Sequence, residues 1–239
     1  MRGPVIALLL VVTAAANAIA QTTKQNRLAQ APQRGHCDVG VVSSLGTNFL
    51  VEQVHFFTGN KRTYVPVESF HLDDLVVDRI RSGLGNRAAV LRIPYREEPF
   101  ASFNTPNLGQ RLGYLFAPFT YVPDVADAIR TVAAGTRCTR YILVTPDPGT
   151  ENDQGGVGIT KSFGPGVHAA IRIWVFDGET FKPSNFIDSS TTHFGRVVDE
   201  SFWPDPPSSA ALNAKLREAT RELVAKCLDR VLPRVLPML

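Results

Sequence analysis

Three side chains in the second half of the chain are of the types a serine hydrolase uses: Ser162, His193 and Asp199. A hydroxyl nucleophile needs an imidazole within hydrogen-bond reach and a carboxylate to orient it. Ser162 sits in Thr160-Lys161-Ser162-Phe163-Gly164, a loose version of the nucleophile elbow with threonine where the first glycine belongs. The elbow also runs from strand into helix, whereas the residues after Ser162 read as loop and then strand. The overlapping stretch 155–162, GGVGITKS, comes near the phosphate-loop pattern but has Thr160 in place of the second glycine, and no helix follows to present its amides. His36, His55, His71, His168 and His193 show no metal-ligand spacing, and Asp147, Glu151 and Asp153 lack the calcium-loop repeat. The expectation is a chain with no catalytic site, no metal and no cofactor, with a Ser162–His193–Asp199 hydrolase as the alternative.

Cysteine and aromatic residues give two further expectations. There are three cysteines: Cys37, Cys138 and Cys227. Cys37 stands just before a predicted strand at 39–44 and Cys138 just before one at 141–145. If those strands are parallel neighbours, the two thiols meet at one sheet edge and form a disulfide. Cys227 lies on the apolar stripe of a predicted helix and is expected to be a buried thiol outside the bridge. Tyr95, Phe100, Phe103, Tyr114 and Phe119 crowd a stretch rich in proline and poor in period. Such rings either close a core beneath a loop or form a contact surface for a partner or a small apolar ligand.

The chain that must position these groups has 239 residues, 44% of them hydrophobic and 20% charged, with a formal net charge of +3. That is ordinary globular composition, and the small, scattered charge argues against a nucleic-acid partner. Residues 1–20 read as a signal peptide: Arg2, an apolar run over 5–16, and Ala18-Ile19-Ala20 as a small-x-small cleavage site. No later stretch is long and apolar enough to span a bilayer. The expectation is an exported protein, periplasmic or secreted. Residues 21–36 form a polar, flexible tail, and 37–239 a single α/β domain.

Within that domain, strands are expected at 39–44, 48–57, 62–67, 88–93, 141–145, 167–176 and 179–188. The 167–176 strand alternates strictly, with Val167, Ala169, Ile171, Ile173 and Val175 on one face and His168, Arg172, Trp174 and Phe176 on the other. Asp177-Gly178 marks a hairpin. Helices are expected at 70–84 with Ser69 as N-cap, at 123–134, and at 209–232 stopped by Pro233, with a shorter one at 108–116. Residues 146–165 read as a long, solvent-facing loop. The fold class is α/β (α+β): a mixed sheet of about six or seven strands with three main helices packed on it.

The opening VGVVSSLG, then FLVEQVHFF, then LDDLVVDRI, resembles the start of small exported proteobacterial proteins of unknown function. It is more distantly similar to the strand–strand–helix opening of envelope domains in penicillin-binding-protein activators and curli-secretion lipoproteins. No cysteine follows the cleavage site as it does in those lipoproteins, and no site residue carries over. The resemblance implies a non-catalytic binding or accessory role in the envelope, with an envelope protein or a small apolar ligand as partner.

Overall fold

The computed structural model describes residues 36–55, 59–101, 122–147, 156–187 and 193–239. The leader, residues 21–35 of the expected tail and the expected 108–116 helix lie outside these residues, while His36, the last tail residue, opens the first strand. The fold is built on one strand, β7 (Pro165–Asp177), whose strict alternation gives it two faces. Val167, Ala169, Ile171, Ile173 and Val175 belong to the larger core, and Trp174 and Phe176 to a second core on the opposite face.

The sheet contains nine strands, ordered β3-β2-β6-β7-β5-β1-β4, with β8 and β9 also pairing with β7. Both β5 (Arg137–Pro146) and β6 (Val157–Lys161) run antiparallel to β7, the first along residues 171–177 and the second along 165–169. They lie on the same edge, because Asp147 N donates to Ala170 O at 2.9 Å while Ala170 N donates to Gly156 O at 2.6 Å. On the other edge, β8 (Pro183–Ile187) pairs with residues 173–176 and β9 (His193–Val197) with 166–170. One row out, β1 (His36–Ser43) lies parallel to β5 and β2 (Phe49–Gln53) parallel to β6. The outermost row holds β4 (Val90–Ile93) beside β1 and β3 (Lys61–Val65) beside β2. Every row except β7 is therefore interrupted midway, at the level of Ala170.

One of these strands occupies a segment expected to be a loop, and β9 one for which no element is expected. The 146–165 segment contains β6, whose residues Val157 to Thr160 are buried, so this part is packed rather than solvent-facing. β9 follows a serine–threonine stretch. Both are short and rich in glycine or polar residues, so neither carries a strand signal alone; pairing with β7 supplies the stability. The opening strands β1 and β2 are joined by a turn as expected, but lie end to end and do not pair with each other. β4 is an edge strand, with Leu91 and Arg92 exposed.

Helices α1 (Leu72–Leu84) and α3 (Ala214–Val235) cover the larger core, and α2 (Val122–Val132) the second. In α1 the residues Leu72, Val76, Val77, Ile80 and Leu84 are buried, one face of a 3.6-residue period. Ser69 is not its cap. Residues Glu68–Phe70 form a 3-10 turn, and the N-cap is His71, in left-handed backbone at φ 51°, with no side-chain cap bond. In α3 the cap is Asn213, whose side chain accepts from Leu216 N at 2.9 Å. Pro233 does not stop this helix, which continues to Val235. A proline in the last turn removes one amide donor, and burial of Val231, Leu232 and Val235 outweighs that loss.

Candidate functional site

The sheet separates two members of the hydrolase candidate. Ser162 is exposed in the β6–β7 turn, one residue beyond Lys161, which pairs with Pro165. The backbone of His193 pairs with Ala170, at the opposite end of β9. From Gly166 to Ala170 is four steps along β7, about 13 Å at roughly 3.3 Å per residue, well beyond hydrogen-bond reach between backbones so placed. Asp199 does lie at the Ser162 end, since its neighbour Val198 donates to Pro165 O at 3.0 Å. Its carboxylate is occupied locally, accepting from the Ser201 hydroxyl and from Ser201 N at 2.8 Å, and these bonds hold it below the usual aspartate range.

The cysteines meet as their strands require. β1 and β5 are parallel with Cys37 opposite Cys138, and the two form a disulfide with Cα atoms 4.4 Å apart. Cys227 is outside the bridge and buried beneath α3, its thiol directed at Ala169 O at 3.6 Å. Burial pushes its pKa up to about 12.

Of the aromatic candidates, Phe100 is fully buried in the second core and Tyr95 stacks on it with ring centroids 5.0 Å apart. Phe100 thus closes a core and offers no contact surface, because its ring is spent against α2. Phe103, Tyr114 and Phe119 lie outside the described residues.

Several polar side chains in the interior are engaged with one another. Arg172 donates to Asp147 at 3.0 Å with both side chains almost wholly buried. The Glu52 carboxylate accepts from Arg62 Nε at 2.6 Å, Asn60 Nδ2 at 3.0 Å and Thr160 Oγ1 at 3.4 Å. Asp73, in the first turn of α1, accepts from Ser43 Oγ at 2.6 Å and from Gly46 N at 3.1 Å, and so ties the helix to the β1–β2 turn. Position 46 must be glycine for this: a Cβ there would lie 2.6 Å from Asp73 Oδ2. These groups hold elements together.

The arrangement best able to hold something else is a cleft of about 650 Å³ between α1 and α3. Its lining comes from Phe70, His71, Leu75 and Arg79 on one side and from Arg217, Glu218, Arg221, Glu222 and Ala225 on the other. Arg221 donates to Phe70 O at 2.7 Å and His71 O at 3.0 Å, which fixes its guanidinium across the head of α1. Arg79 pairs with Asp229 at 2.8 Å, and Glu222 with Lys226 at 2.8 Å and Arg196 at 2.9 Å. His71 Nδ1 lies 3.3 Å from Asp74. The side chains of Arg217 and Glu218 are exposed and make no ion pair among the described residues. Sequence reasoning missed this cleft. Its two walls are far apart in the chain, and each alone reads as a solvated helix face; the strongest available hint was the Arg217/Arg221 pair one turn apart.

No protein-family model matches the sequence, and no curated protein matches it. Several solved structures are similar in part, among them three from bacteria. A Xanthomonas campestris protein of the family DUF330 gives a TM-score of 0.38 at 7% identity, covering 88% of this chain and 93% of that one. A hypothetical protein of Chlamydia trachomatis gives 0.29 at 13% identity, covering 81% and 98%. A lipoprotein of Neisseria meningitidis gives 0.29 at 10% identity, covering 79% and 96%. At these scores the likeness assigns neither family nor function.

Proposed function

We propose that this chain is an exported, non-catalytic α/β domain that binds a partner protein or a small apolar ligand in the cell envelope. The Cys37–Cys138 disulfide is the observation that carries the reading, since such bridges form and persist in oxidising compartments. The apolar leader with its small-x-small site points the same way. No helix among the described residues is long and apolar enough to cross a membrane. A binding rather than catalytic role is supported by how the polar groups are used. The buried Arg172–Asp147 pair and the Glu52–Arg62 pair brace strands, and the α1–α3 cleft is lined by arginines, glutamates, apolar side chains and His71, with no serine, threonine or cysteine among them.

Expression of the full chain in a bacterial host, followed by fractionation and thiol trapping, tests the export reading. The expected result is processed protein outside the cytoplasm with Cys37 and Cys138 protected from alkylation until reduced. Recovery in the cytoplasm with both thiols alkylated would sink it. For the catalytic alternative, p-nitrophenyl ester hydrolysis should be no faster with the protein than with its Ser162→Ala variant.

A further inference from the structure

We propose that the α1–α3 cleft is a docking groove for a short peptide segment of a partner protein, one that sets a carboxylate beside an apolar anchor residue. The inference rests on the binding role proposed above and gives that role a site and a partner chemistry.

Shape and floor come first. The cleft's volume of about 650 Å³ lies in the range of roughly 300–1,000 Å³ usual for ligand sites. Leu75 and Ala225 are half-buried along it, a narrow apolar strip suited to an anchoring side chain.

Charge comes second. Two of the ionic groups lining the cleft are neutralised within the molecule: Arg79 by Asp229, and Glu222 by Lys226 and Arg196. Arg221 is different. Its partners are two neutral carbonyls, so the guanidinium is immobilised without being neutralised. Arg217 lies one helical turn before it on the same face, exposed and without an ion-pair partner among the described residues. Two uncompensated guanidinium groups, one already fixed, form a carboxylate-binding pair whose ordering cost is partly met before the ligand arrives.

Backbone strain at the mouth is the third observation. His71 adopts φ 51°, a left-handed conformation disfavoured for a residue with a Cβ, and its side chain is 68% exposed. A glycine would be easier to hold there. The strained backbone presents an imidazole at the rim, 3.3 Å from Asp74, and a carbonyl that accepts from Arg221.

The partner is a mixed peptide rather than a uniformly anionic surface. Glu218 and Glu222 share the wall with the arginines, and like charges set against a nucleic acid or an acidic bilayer would oppose it. A peptide can place its carboxylate at Arg217 and Arg221 and leave apolar or basic residues opposite the glutamates.

Fluorescence anisotropy with the purified full chain tests this, using a labelled ten-residue peptide of alternating leucine and glutamate. The same peptide with glutamine in place of glutamate is the control. Saturable binding of the acidic probe, weakening with salt, is expected. Arg217→Glu, at a side chain with no ion pair among the described residues, should leave Tm unchanged and weaken the probe about fivefold. The Arg217→Glu/Arg221→Glu double variant should weaken it about tenfold or more. His71→Gly should raise Tm by relieving the backbone while weakening the probe, a pairing that a purely structural role for His71 does not produce. Probe binding unchanged in both arginine variants would overturn the groove while leaving a binding role intact elsewhere. No saturable binding, or equal binding of the glutamine control, would overturn the carboxylate chemistry.

Discussion

Asp147 and Arg172 meet in an ion pair of 3.0 Å, sealed from solvent at the level where β5 gives way to β6. The pair fastens the end of one strand to the continuous strand beside it. It sits where the sheet has lost its regular ladder. Removing one partner leaves the other charge buried, so Arg172→Met should cost about 3–5 kcal/mol. The double variant Asp147→Leu/Arg172→Met should cost less than the sum of the singles. Urea denaturation of the four proteins in a double-mutant cycle measures the coupling, and strictly additive losses would show that the pair does not act as a unit.

The Cys37–Cys138 bridge spans a sequence separation of 101 and joins the first strand to the fifth. Closing a loop of about 100 residues restricts the unfolded chain enough to stabilise the native state by up to about 4–5 kcal/mol. Replacing both cysteines by alanine should lower the denaturation midpoint accordingly. The oxidised parent treated with reductant should fall to the same midpoint.

Cys227 should be chemically silent in the folded protein. Its thiol is buried and its pKa is pushed up to about 12, so almost no thiolate exists near neutral pH. Iodoacetamide should leave Cys227 unmodified in buffer and label it in guanidinium chloride, as read by mass spectrometry of its peptide.

Asp73 should work against stability at neutral pH. Burial raises its pKa, and the bonds from Ser43 and Gly46 only partly counter this. A native pKa above the unfolded one means that the folded state holds the proton more tightly. The stabilisation from this group is complete below the unfolded pKa and is lost as pH rises through the folded one. Asp73→Asn keeps an acceptor for Ser43 and Gly46 without the buried charge. It should be at least as stable as the parent near about pH 7, with the difference shrinking toward about pH 4 as the parent's carboxyl protonates. Asp177, Asp199 and Glu222 run the opposite way. Their carboxylates are held below the usual range by hydrogen bonds from Thr180, Ser201 and Lys226 respectively, and the stability they add is lost as pH falls through those lowered values. A thermal-melt series against pH for parent and Asp73→Asn reads the difference directly.

Burial pattern made much of the architecture readable from the chain alone. β7 was legible because one face is apolar throughout, the other carries Trp174 and Phe176, and the alternation is uninterrupted. α1 and α3 were legible because their buried residues recur at helical spacing. The cysteine pairing followed from one inference, that the strands beginning after Cys37 and Cys138 are parallel neighbours, which the sheet bears out.

What escaped reading depended on contacts distant in sequence. β6 and β9 are strands because β7 offers them a partner, and neither VGITK nor HFGRV declares itself alone. The start of α1 was misplaced because Ser69 has a good capping side chain, whereas the chain turns through a left-handed His71. The cleft could not be seen at all. Arg221 reads as one more charge on a solvated helix until its guanidinium is found on the carbonyls of Phe70 and His71.

The order of the cysteines along the chain also bears on how the protein is made. If the chain is exported as proposed, it crosses its membrane from the N-terminus, and Cys37 and Cys138 both reach the oxidising side before Cys227 follows. The native bridge is then the first one the emerging polypeptide can form. The thiol that could mispair arrives last, on a helix whose burial against Ala169 removes it from exchange. Vectorial delivery would thus select the correct bridge of the three that three cysteines allow, whereas refolding the whole chain from denaturant exposes all three thiols at once.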